Sequence, residues 1–109
     1  MRTAKTFAGA LMAAGLLVSV LPAAAQSLPH PGQYLAGNCA NCHGTDGRSA
    51  GGGGMPGLAG LSAAYFVEQM KAFQAGKRQA TVMHQLAKGY TDEEIAALAE
   101  YFSKMTPSK

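Results

Sequence analysis

Two cysteines, and no others, stand three positions apart in this chain, and a histidine follows the second: Cys39-Ala40-Asn41-Cys42-His43. A C-x-x-C-H run has the spacing of a c-type haem attachment site. Thiols so placed can add to the two vinyl groups of one haem, and the adjoining imidazole can then serve as an axial ligand of its iron. Other uses of the pair are a disulfide, a redox dithiol or a zinc site. A thioredoxin-like dithiol needs alternating strands and helices in a longer chain, and β-branched runs are almost absent here.

The rest of the chain bears on that choice. Arg2 and Lys5 precede an apolar run from Phe7 to Leu21, and Pro22-Ala23-Ala24-Ala25 offers an A-x-A cleavage site. These are the three parts of a secretory signal peptide, so residues 1–25 are expected to be cleaved on export and 26–109 to form one small domain. The apolar run is shorter than the roughly 20 residues that span a bilayer. A periplasmic location without membrane insertion after cleavage is therefore expected. Losing Arg2 and Lys5 lowers the formal charge of +3 to about +1, and two ionised haem carboxylates would carry it to about −1. Nothing in that balance points to nucleic acid. A mature chain this short and glycine-rich struggles to build its own core, and a covalently bound apolar haem would supply one.

Pro31 suits the first turn of a helix, predicted from Pro31 to about Ala40 and ending at the cysteine motif. Gly44 to Gly47 turns the chain away, and Arg48 to Gly54, with four consecutive glycines, reads as a surface loop without the Lys-Ser/Thr of a phosphate-binding loop. Ser62 caps a second helix running to about Ala75, with Tyr65, Phe66, Met70 and Phe73 at helical spacing. Ala80 to Lys88 allows a turn or two of helix before Gly89. Thr91-Asp92-Glu93-Glu94 is a capping box, Tyr90 can staple onto Ile95, and Ile95, Leu98, Ala99 and Phe102 form one apolar stripe. The expected fold is all-α: three main helices whose long loops wrap one covalent haem.

A second axial ligand must come from Met55, Met70, Met83, Met105, His30 or His84. Met70 lies on an apolar helix face, where methionine is commonly filler. Met105 is in the tail, and Met55 precedes a proline on the His43 side of the sequence. Met83 sits in a short irregular segment forty residues after His43, enough chain to pass around a haem and return. His84 reads as a surface imidazole, and His30 alone makes no copper site. Lys77, Arg78 and Lys88 bracket the Met83 segment, either as a basic rim that steers an acidic partner or as plain solvated charge.

Taken together, Cys39-Ala-Asn-Cys-His-Gly-Thr-x-Gly47, Met55-Pro-Gly-Leu-Ala-Gly60, Met83 and the Gly89-to-Phe102 helix with its cap resemble a class I cytochrome c. More narrowly, the chain resembles the haem modules of periplasmic dihaem cytochromes c and the cytochrome subunit of flavocytochrome c sulfide dehydrogenase. Many such relatives carry two haem motifs, and this chain has one. The resemblance implies the class I cytochrome c fold, with one haem c bound through Cys39 and Cys42. It implies His43 and Met83 as axial ligands of the iron, and the Pro56 carbonyl as acceptor of the His43 Nδ1 proton. An iron with both positions filled implies electron transfer rather than catalysis, with redox proteins as partners. Two contexts follow: a subunit taking electrons from an FAD-containing sulfide dehydrogenase, or a free shuttle to an oxidase or other periplasmic enzyme. An open iron, with Met83 unbound, would instead suit a ligand sensor or a peroxidase.

Overall fold

The computed structural model describes residues 29–49 and 54–108; the expected leader (1–25), its cleavage site and Gly51–Gly53 of the glycine run lie outside the described residues. Four α-helices follow in order: α1 Pro31–His43, α2 Ala63–Gln74, α3 Met83–Leu86 and α4 Asp92–Ser103. Short 3-10 turns occupy Thr45–Gly47 and Ala87–Gly89, and no strand occurs among the described residues. The all-α expectation holds, with α1, α2 and α4 as the main helices.

Helix α1 starts on Pro31 as expected, but its cap is His30, whose Nδ1 accepts the Gly32 amide at 3.1 Å. It does not end near Ala40. It runs through His43, because nothing between Cys39 and His43 opposes a helix and the first break is Gly44, at φ 83°. Cys39, Cys42 and His43 therefore stand at i, i+3 and i+4 and share one helix face.

Helix α4 bears the full capping box, with Thr91 accepting from Glu94 N and Glu94 accepting from Thr91 N. Its stripe of Ile95, Leu98, Ala99 and Phe102 is buried. The helix crosses α1 at Gly32, where a Cβ would lie 2.2 Å from the Ala97 carbonyl oxygen and 2.8 Å from Tyr101 Cβ. Only glycine admits that approach. Helix α2 adds Phe66, Met70 and Phe73 to the same core, and the Phe66 and Phe102 rings stack at 5.6 Å. Tyr65, expected on this buried face, is instead 45% exposed.

Candidate functional site

A cavity of about 400 Å³ lies between α1, α2, the 54–61 segment and the 78–90 segment. Cys39, Cys42, His43, Pro56 and Met83 all line it, together with the core residues Phe66, Met70 and Phe73. The volume lies within the roughly 300–1,000 Å³ of ordinary small-molecule sites. One wall of the hydrophobic core is thus the wall of a ligand-sized hollow.

His43 is the buried polar side chain of this region, 7% exposed. Its Nδ1 lies 2.7 Å from the Pro56 carbonyl oxygen. A carbonyl only accepts, so Nδ1 carries the proton and Nε2 keeps the lone pair a metal requires. Such a partner fixes both tautomer and ring orientation. The Pro56 carbonyl is itself held in place. Leu58 N and Ala59 N both donate to the Gly47 carbonyl (2.8 and 3.1 Å), Gly60 N donates to the Phe102 carbonyl (2.8 Å), and Ser49 Oγ donates to the Met55 carbonyl (2.8 Å). Gly47 has φ 73°, and a Cβ there would lie 2.8 Å from Leu58 Cβ.

The turn that delivers Gly47 depends on Asp46, a non-glycine residue at φ 54°. Its carboxylate accepts from the Tyr101 hydroxyl at 2.6 Å and from Arg48 at 3.1 Å, and Arg48 Nε also donates to the Thr106 carbonyl at 2.7 Å. The Tyr101–Asp46 hydrogen bond, more than burial, pushes the Tyr101 phenol above its ordinary pKa. The left-handed conformation is thereby tied to α4 and the chain's end.

Both thiols are free, Cys39 half-buried and Cys42 exposed. Burial pushes the Cys39 thiol up, partly offset by hydrogen bonds from its backbone and Tyr90. Redox-active C-x-x-C thiols are shifted down. Among the described residues no group of three or more His, Cys, Asp or Glu is arranged to hold a metal ion.

Of the proposed second ligands, His30, His84 and Met105 do not border the cavity. His30 is occupied by Gly32 N and by Glu100, 3.2 Å from its Nε2. His84 is half-buried rather than on the surface, with Nδ1 enclosed and lacking a hydrogen-bond partner. Met55 directly precedes the proline that holds His43, and Met70 is 6% exposed in the α2 core. Met83, half-buried at the start of α3, is the methionine the cavity shares with neither role.

Arg78 is not plain solvated charge. Gly76, at φ 66°, reverses the chain, Lys77 N and Arg78 N both donate to the Ala72 carbonyl, and the Arg78 guanidinium stacks 4.7 Å from the Phe73 ring centroid. It also donates to Gln69 Oε1 at 2.6 Å. Among the described residues Arg78 is the one Lys, Arg, Asp or Glu that lines the cavity; Lys77 and Lys88 do not. The signal in the sequence was Gly76, which marks a helix end that folds back rather than a linker. Apolar walls, two thiols on one helix face, an imidazole with free Nε2, a thioether and one guanidinium fit a large planar apolar group bearing carboxylates. Haem c is such a group.

The cytochrome c family profile matches residues 30–106. The cytochrome subunit of sulfide dehydrogenase from Chlorobaculum tepidum is 44% identical over 75 residues, 69% of this chain and 66% of that protein. Cytochrome c-554(548) from Halomonas halodenitrificans is 40% identical over 79 residues, 66% of this chain and 89% of that protein. Among solved structures, thiosulfate dehydrogenase from Marichromatium purpuratum superposes with a TM-score of 0.66 at 34% identity, over 72% of this chain and 19% of that one. The chain thus spans just under two thirds of the sulfide dehydrogenase subunit and about a fifth of the thiosulfate dehydrogenase. Helical fold, haem-attachment motif, cavity and family match agree: this chain belongs to the class I cytochromes c, the electron-transfer family that binds haem c covalently.

Proposed function

We propose that this chain is a periplasmic electron carrier holding one haem c, with Cys39 and Cys42 as its covalent anchors and His43 and Met83 as axial ligands. The observation that carries this reading is that His43, oriented by Pro56, and Met83 border one cavity. When bound, the haem supplies an iron that exchanges one electron between Fe(III) and Fe(II), and thioether ligation favours the reduced state. The residues of the chain do the rest. His43 and Met83 would hold the iron and leave no place for a substrate, Pro56 keeps the imidazole in one tautomer, and Phe66, Met70 and Phe73 would give the group an apolar wall. Arg78 stands ready to neutralise a haem carboxylate. The chain by itself is then a carrier, not an enzyme.

Its partner, on this reading, is an FAD-containing sulfide dehydrogenase subunit, a choice supported by the 44% identical relative. A free shuttle is favoured by a different observation, the match that covers 89% of a cytochrome c-554(548). Purification from the periplasm tests both. A flavin-bearing chain that co-elutes supports the subunit; a monomer that elutes alone supports the shuttle. Intact mass tests the cofactor: the expected species begins at Gln26 and carries one haem, and a haem-free mass after export contradicts the reading.

A further inference from the structure

Helix α2 ends on Gln74, whose side chain reaches the segment that returns from Met83. Its amide nitrogen donates to the Ala87 carbonyl at 2.9 Å and to the Tyr90 carbonyl at 3.2 Å. The flipped amide would set its oxygen against two acceptors, so both partners require the nitrogen here. Ala87 is fully enclosed, at 0% exposure, and its own N–H donates to the carbonyl of Met83. A short hydrogen-bonded path therefore runs from Met83 through Ala87 to Gln74. The start of the same segment is held separately by Gln69, through Arg78. Helix α2 thus grips the Met83 segment at both ends, and at the far end one amide makes both contacts. Without it the Ala87 carbonyl keeps the Tyr90 amide, at 3.3 Å, as a partner, while the Tyr90 carbonyl loses the amide that α2 supplies. A part-buried carbonyl left without a donor is costly, and α3, one turn long, has no side-chain cap and no fully buried residue of its own.

We propose that Gln74 is a positioning residue, a latch that sets how long the Met83 thioether stays at the iron. The proposal rests on Met83 being the axial ligand. Small anions reach the iron only while Met83 is away, so the rate of cyanide binding to the ferric holoprotein reads the latch directly. Gln74→Leu, which keeps the volume and removes both donors, is expected to speed cyanide binding by about tenfold. Gln74→Lys, whose ammonium can donate to both carbonyls, is expected to stay within about twofold of wild type. Tyr101→Phe loses a hydrogen bond on the His43 side and controls for general loosening; it is expected to leave the rate within about twofold. An unchanged rate in Gln74→Leu, or an equal rise in Tyr101→Phe, overturns the latch. A wild-type ferric spectrum without the far-red iron–sulfur band removes the ligand reading, and the latch with it. A band that is present alongside an unmoved rate overturns the latch alone.

Discussion

The Nδ1 proton of His43 points at the carbonyl of Pro56, 2.7 Å away and thirteen residues further along the chain. That carbonyl is placed by Gly47, whose own carbonyl receives the amides of Leu58 and Ala59. The His43 imidazole is therefore oriented by a loop, and the loop by the glycine that closes the 3-10 turn after α1.

Gly47→Ala tests this dependence. The new Cβ meets Leu58 Cβ at 2.8 Å and Ala59 N at 2.9 Å, in a conformation L side chains avoid. A loss of about 2 kcal/mol in guanidinium unfolding is expected, with a shift in midpoint potential as the imidazole loses its acceptor. Wild-type stability and potential together would show that the loop does not set the ligand.

Gly32→Ala probes the crossing of α1 and α4, where the added methyl would lie 2.2 Å from the Ala97 carbonyl oxygen. Backbone cannot yield as a side-chain tip can, so the helices must separate. We expect a loss of about 2–3 kcal/mol by urea denaturation, with the ferric spectrum retained.

The motif, the three main helices and the capping box were legible because each is local: a spacing, a periodicity or a cap. The end of α1 was misplaced because a functional motif was treated as a boundary, whereas only Gly44 breaks the helix. Arg78, Gln69 and Gln74 were not legible. Their roles depend on a chain reversal at Gly76 and on which carbonyls α2 meets, and neither is encoded within a window of neighbours. His30 as a cap was missed because histidine is an uncommon residue there.

Tyr101 links stability to alkaline pH. Its hydroxyl donates to Asp46, which raises its pKa above the ordinary value near 10. Above that pH the folded state binds more protons than the unfolded one, so this contribution is complete below about pH 10 and is lost as pH rises through the folded value. Tyr101→Phe should be less stable by about 1 kcal/mol at neutral pH and show a shallower alkaline decline in denaturation midpoints. The remaining slope belongs in part to Tyr90, raised chiefly by burial. An unaltered slope would show that Tyr101 is not a source of it.

Electron transfer to partners should depend weakly on salt. Among the described residues Arg78 is the sole Lys, Arg, Asp or Glu on the cavity wall, and Gln69 and Phe73 engage its guanidinium. Second-order rates are expected to change by less than about threefold between roughly 0.01 and 1 M ionic strength. A steep fall would support the basic rim of Lys77, Arg78 and Lys88.

The ferric absorption spectrum of wild type beside Met83→Ala tests the central claim most directly. The weak far-red band that reports an iron–sulfur bond should be present in wild type and absent in Met83→Ala, with covalent haem retained in both. Absence of the band in wild type, or its persistence in Met83→Ala, would contradict Met83 as the ligand opposite His43.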